Sequence, residues 1–234
     1  AEVEFLNAQG KIEEAVSQLY EAVKVFPESI YIVKYLSFLL NYKGEREGCE
    51  KVLKEALGST KGPVMKSQLG LNLARFYSSW GEQEKCYQFL ISLASDVPDD
   101  ILIQRELLRC EKLTKEPDLA QQIVDKIKAI EGETGWQWRY EQAMIWYAAI
   151  NFKDRYSQII SILKENLIAN PEDQASRLLL AATYEKGGES RLAISTYNEA
   201  LNQSPNDLRI IIPFASILYR EKENLLSRFD PNSE

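Results

Sequence analysis

The 234-residue chain contains no histidine. Its absence removes the commonest general base, the Ser–His and Cys–His nucleophile pairs and the commonest zinc ligand. Cysteine is scarce: Cys49, Cys86 and Cys110 are the only three, and none forms a CxxC pair, so no disulfide framework is indicated. No uncharged apolar run approaches the ~18 residues needed to span a membrane; Leu208–Phe214 is short and carries Arg209. No glycine-rich phosphate loop or metal motif is present, and the KGGES run at Lys186–Ser190 reads as a turn between helices. Positive charge is also in deficit. A formal net charge of −7 opposes broad nucleic-acid binding, which requires a basic surface to neutralise phosphates. Acidic residues are numerous but scattered at helical-surface spacing. These absences together predict a protein without enzymatic activity, cofactor or metal.

The chain does have a period. Pro171 and Pro205 lie 34 residues apart, and the residues leading into each proline follow one plan. Counting back from Pro205 gives Ala200, Tyr197, Ala193, Gly188, Tyr184 and Ala181. The same offsets from Pro98 give Leu93, Leu90, Cys86, Gly81, Tyr77 and Ala74; from Pro27 they give Ala22, Leu19, Ala15, Gly10, Leu6 and Val3. Small, glycine and large apolar slots recurring at this spacing mark stacked helix–turn–helix units. Gly10, Gly44, Gly81 and Gly188 fall where a first helix must stop and turn, a place that favours left-handed backbone. The prolines follow second helices, where a ring that cannot continue a helix does no harm. Cys49 and Cys86 occupy the slot held elsewhere by Ala15 and Ala193, which predicts two buried thiols acting as small apolar side chains. The pattern resembles the tetratricopeptide repeat family.

That resemblance covers essentially the whole chain. It implies an all-α, right-handed superhelical solenoid of stacked antiparallel helix pairs, with residues 1–234 forming a single array of about six to seven repeats. The punctuation sets the repeats at 1–29 (partial), 30–66, 67–100, 101–139, 140–173, 174–206 and 207–234 (partial or capping). Each reads as two amphipathic helices of about 12–14 residues. The fourth is degenerate, with Lys115 in place of the turn glycine, and EGETG adds five residues before the fifth. The fifth carries Asp154 at its turn and bulky Tyr147 and Ile159 in the small slots. In the seventh, Ala215, Leu218 and Ser227 repeat Ala181, Tyr184 and Ala193, while Pro213 is expected to break or kink the helix unless it lies in the first turn. Neither end reads as fully capped, and the opening AEVEFLNAQG carries neither an initiator methionine nor a signal segment. The parent protein is therefore expected to continue in at least one direction, in either cytoplasm or periplasm.

In tetratricopeptide proteins the first helices line the concave face. Carried over by position, the resemblance implies a partner-binding face of Lys34, Tyr35, Phe38 and Asn41, flanked by Tyr31 and Tyr42, in the second repeat. The third repeat adds Asn72 and Arg75, and the fourth adds Arg105, Arg109 and Lys112. Arginine beside aromatic rings is the composition of a patch that grips carboxylates and stacks on apolar side chains. The competing reading is a solvated face whose charges pair with Glu106 and Glu111. A carboxylate clamp for chaperone tails, used by some members, is not reproduced: Lys34 and Asn72 fit, but Phe38, Leu102 and Glu106 stand at three of its five positions. Trp80 and Trp146 read as core; Trp136 and Trp138, in GWQWRYEQ, read either as a cover for the join between the fourth and fifth repeats or as an exposed adhesive site.

The function expected is a protein–protein interaction scaffold that holds a protein or peptide partner, acidic in character, in the concave groove. Two alternatives stand beside it. One is an architectural arm of a larger protein that self-associates through the ends of the array. The other is an RNA-binding helical repeat, which the acidic balance and the alanines in both small slots disfavour.

Overall fold

The computed structural model describes residue 6 and residues 8–228. The Val3 slot, the side chain of Ser227 and the terminal FDPNSE lie outside the described residues. Among the described residues there are helices and no strands. In chain order they are α1 (Ile12–Val25), α2 (Ile30–Tyr42), α3 (Arg46–Ser59), α4 (Pro63–Ser79), α5 (Gln83–Asp96), α6 (Ile101–Leu108) and α7 (Glu111–Thr114). There follow α8 (Pro117–Glu131), α9 (Gln137–Ala148), α10 (Phe152–Ala169), α11 (Gln174–Lys186), α12 (Ser190–Gln203) and α13 (Leu208–Arg228). None is long and apolar enough to cross a membrane.

The chain divides into two compact units, Ala1–Glu116 and Pro117–Glu234. Within the first, each helix from α1 to α6 packs on the next, and α2 also touches α4, as α4 touches α6. Within the second, consecutive helices from α8 to α13 pack likewise, and α9 touches α11. Neighbour on neighbour with a shorter reach to the helix after next is the contact pattern of stacked helix pairs.

The turns repeat one device. At Gly81 (φ +79°) the N–H meets the Ser78 carbonyl at 3.0 Å, and the next N–H, of Glu82, reaches the Tyr77 carbonyl at 2.9 Å. Gly188 (φ +83°) and Glu189 do the same to Glu185 and Tyr184, at 3.0 and 2.9 Å. A left-handed residue followed by a long backward bond satisfies carbonyls that the helix end leaves open. Gly10 and Gly44 take the same conformation, as does Gly132, which lies in the inserted EGETG and outside the period.

The small slots are closed to solvent. Ala15, Cys49, Ala74, Ala181 and Ala193 are fully buried, and Cys86 nearly so. Burial pushes the Cys49 thiol up to about 12, which suits an inert packing residue. In the fifth repeat the slot residue Ile159 is also fully buried, among Ala143, Phe152, Leu163 and Leu180.

The fourth and seventh repeats depart from the expected helix pairs. Where one helix of about 12–14 residues was expected from Ile101, α6 has 8 residues and α7 has 4. Between them Cys110 is extended (φ −68°, ψ 133°). From Arg109 to Glu116 backbone bonds run to the third residue back: Cys110 to Leu107 at 2.9 Å, Leu113 to Cys110 at 3.0 Å, Lys115 to Lys112 at 3.2 Å. This tighter winding is characteristic of helix ends, and the boundary between the two compact units follows directly at Glu116. In the seventh repeat Pro213 does not break the helix: α13 runs on to Arg228. Pro213 lies in the second turn, and its missing N–H deprives only the carbonyl of exposed Arg209, which water can serve.

One glycine marks a close approach that periodicity did not reveal. A Cβ on Gly70 of α4 would lie 2.4 Å from Cδ2 and 2.7 Å from Cδ1 of Leu93 on α5, and Leu93 is itself buried. In an open helix Gly→Ala gains about 1 kcal/mol; here overpacking, at about 1–3 kcal/mol, opposes it. Gly70→Val, with poorer helix propensity and a larger clash, is expected to lower stability by about 2–3 kcal/mol in urea unfolding. A Gly70→Val midpoint at or above wild type would contradict this α4–α5 contact.

Candidate interaction site

The site is built on α2. Its sequence, IYIVKYLSFLLNY, is apolar on nearly every side, and a helix of that kind is ordinarily covered all round. Val33, Leu36, Ser37, Leu39 and Leu40 face the core. Tyr31, Tyr35, Phe38 and Tyr42 recur at i, i+4, i+7 and i+11, which lines them along one side of the helix. That side is open: Tyr31 is 62% exposed, Phe38 51% and Tyr42 70%. Tyr31 and Tyr35 stack with ring centres 6.0 Å apart. With Ile30, Lys34 and Phe38 they line a hollow of about 500 Å³.

The polar residues assigned to the same face divide into distinct roles. Asn72 of α4 donates through Nδ2 to Ser37 Oγ at 3.2 Å, and Ser37 donates to the Lys34 carbonyl at 2.8 Å, so Asn72 ties α4 to α2. Asn41 accepts from Trp80 Nε1 at 2.6 Å, and Trp80 stacks on Phe76 and lies under the Arg46 guanidinium. Trp80 therefore joins the second and third repeats as a packing residue. Arg75 is exposed and pairs with Glu106 at 3.3 Å, as the solvated-face reading anticipated. Arg109 donates through Nη1 to the Arg105 carbonyl at 2.7 Å, capping the end of α6.

Lys112 is not brought to this set. Its ammonium lies 4.5 Å from the Tyr87 ring centre and 3.9 Å from Glu84, both on α5. With Gln83, Glu84, Glu111, Lys115 and Glu116 it lines a separate hollow. The extended backbone at Cys110 turns the chain between α6 and α7, so the helical register that placed Lys112 beside Arg105 and Arg109 does not carry through.

Behind the face, Glu50 of α3 fastens three helices. Tyr77 Oη of α4 donates to it at 2.9 Å, Lys85 of α5 at 2.7 Å, and Lys54 of α3 pairs with it at 2.7 Å. Burial alone would push the Glu50 carboxyl up, but the hydrogen bonds from Lys54, Lys85 and Tyr77 outweigh it and hold the group at about 2, against an ordinary 4.5. A depressed carboxylate stabilises the fold above its unfolded pKa, and the contribution fades as pH falls through the folded one. After discounting for solvent screening, Glu50→Gln is expected to cost about 1–2 kcal/mol at pH 7. The deficit should close as pH falls from 4.5 through 2, as the wild-type side chain becomes neutral too. Parallel stability curves for wild type and variant across that range would count against the network.

No protein-family model matches the chain. A TPR repeat-containing protein of Methanocaldococcus jannaschii is 26% identical over 232 residues, covering 94% of this chain and 38% of that protein. A solved tetratricopeptide repeat protein from Parabacteroides merdae matches with a TM-score of 0.70 at 18% identity, covering 95% of this chain and 85% of its own. A thermophilic TPR protein of Thermus thermophilus matches with a TM-score of 0.62 at 18% identity, over 82% of this chain and 100% of its own. The chain has the fold of tetratricopeptide repeat proteins. It spans less than two fifths of the length of the curated relatives it matches, 38% and 37%.

Within this fold the inserted EGETG loop is closed by a side chain that the period did not single out. The Glu131 carboxylate accepts from the N–H groups of Trp136 (3.1 Å), Gln137 (3.1 and 3.0 Å) and Trp138 (3.0 Å). An anion here neutralises the open donors and the positive end of the α9 dipole. Trp138 donates from Nε1 to the Gly132 carbonyl at 3.0 Å and lies between Lys128 and Arg139. Trp138 thus covers the loop, while the Trp136 carbonyl accepts from buried Asn166 at 2.9 Å. An acidic residue six positions before a helix start was the available signal, but it is one of 35 acidic residues. Trp146 packs against the core of the second unit, as expected.

Proposed function

We propose that this chain is a non-enzymatic interaction scaffold that holds a partly apolar protein segment along the α2 face of its first unit. The observation that supports this reading is the line of exposed Tyr31, Phe38 and Tyr42 with half-buried Tyr35, beside a hollow of about 500 Å³. Rings with two side-chain torsions offer large contact area at small entropic cost, and such residues dominate binding energy where they are desolvated. Lys34 lines the hollow and, with exposed Arg75 on the neighbouring α4, would favour acidic residues flanking the apolar ones, speeding association more than deepening it. Asn41 and Asn72, tied to Trp80 and Ser37, hold the helices that present the rings.

The test is partner capture from an extract of the source organism with the wild-type chain and with Phe38→Glu, each first shown to be helical and cooperatively folded. Partners retained by wild type and lost by the variant support the α2 face. Identical partner sets would move binding to another surface.

A further inference from the structure

We propose that Cys86 and Cys110 form an oxidisable pair, closing to a disulfide that staples α5 to the break between α6 and α7. The packing account that explains Cys86 does not extend to Cys110. Alanine fills the Cys86 slot in other repeats, at Ala15 and Ala193, and Cys110 has no counterpart in the period. Yet the structure buries both, at 4% and 6% exposure, and sets their side chains in direct interaction with each other. Cys86 Sγ also points to the Ala74 carbonyl at 3.2 Å, and Cys110 Sγ to the Glu106 carbonyl at 3.8 Å. Packing of α5 against both α6 and α7 brings the two residues together across 24 positions of sequence. Both are free thiols in this structure.

Cys86 is the better nucleophile of the two. The hydrogen bond from Cys110 lowers its pKa against the opposing effect of burial, whereas the same contact, reinforced by burial, raises that of Cys110. With a hydroperoxide as oxidant, the Cys86 thiolate attacks the peroxide, the O–O bond breaks, and Cys86 sulfenic acid and water result with hydrogen peroxide. The Cys110 sulfur then attacks the sulfenic sulfur, the S–O bond breaks, and a second water leaves. Two electrons pass from the thiols to the peroxide. Burial of both residues makes the reaction slow in the folded protein. Once formed, the bond pins the segment that ends the first unit, including Arg109 beside Cys110.

The test treats the folded chain with hydrogen peroxide, blocks remaining thiols, and maps peptides without reduction. The expected product has lost two hydrogens, regains them with dithiothreitol, and yields the tryptic peptide of residues 110–112 linked to that of residues 86–105. Cys49→Ala should form the same link, while Cys86→Ala and Cys110→Ala should each abolish it. Because the wild-type peptide map identifies the linked residues directly, the result stands even if a variant folds poorly. A chain that keeps both thiols, is oxidised only to sulfinic acid, links Cys49, or joins only between chains would overturn the proposal.

Discussion

Ala193→Leu is expected to lower the stability of the second unit by about 1–3 kcal/mol, because three added carbons must enter a site with no free surface. Ala193 lies on α12 with zero exposure, within a cluster that includes Ala181, Tyr184, Tyr197 and Ile217. Helices α11 and α12 form the pair with the most extensive mutual packing in the second unit, so the strain has no loose neighbour to absorb it. A protein interior at crystal-like density responds to even one methylene. For a unit of this size the change corresponds to a fall in melting temperature of roughly 5–10 °C. Thermal unfolding followed by circular dichroism measures it. Ser195, exposed two residues along the same helix, provides the control: Ser195→Leu adds a side chain of the same size facing water and should move the midpoint little. Equal midpoints for both variants would mean that Ala193 does not lie at a close helix contact.

The difference between those two sites explains what was legible in the sequence. A slot that must be small leaves the same trace at every repeat, and a left-handed turn leaves glycine; hence Ala15, Cys49, Cys86, Ala193 and the four turn glycines could be read in one dimension. The aromatic residues of α2 were reached through the resemblance, which set Tyr35 and Phe38 on one face with Tyr31 and Tyr42 flanking; their i, i+4, i+7 and i+11 spacing falls on one side of any helix. Features that depend on a single three-dimensional encounter left no period. The clash volume beside Gly70 depends on where Leu93 comes to rest, 23 residues later. Arg75 and Glu106 meet across 31 residues; the face and its candidate carboxylates, Glu106 and Glu111, could be named, but not which basic residue each would take. Glu131 serves α9 as a cap from the preceding helix, an arrangement that no local capping pattern describes. Lys112 was misplaced because registry was extended through Cys110, where the backbone leaves the helix. The unbroken passage of α13 through Pro213 turned on position within the helix: a proline in the second turn orphans a single carbonyl, not a buried ladder of them.

The charge pairs also decide how binding should respond to substitution. Phe38→Glu is expected to weaken binding of a partner held on α2 by at least about 2 kcal/mol, roughly thirtyfold in Kd, since it deletes a ring at the centre of the line and places a charge where apolar surface must be desolvated. Arg75→Glu should cost under about 1 kcal/mol, because the Arg75 side chain is 63% exposed and already engaged with Glu106, and exposed pairs contribute little. Salt separates the two further. Charges near the surface are screened over about 8 Å at physiological ionic strength, so the Arg75→Glu deficit should shrink as salt is raised, and the Phe38→Glu deficit should largely persist. Titrations of one captured partner against the three proteins, at low and high salt, test both statements. A larger, salt-sensitive loss with Arg75→Glu than with Phe38→Glu would shift the energetic centre of the site from the α2 rings to the basic residues of α4 and α6, and would favour a strongly acidic partner over a partly apolar one.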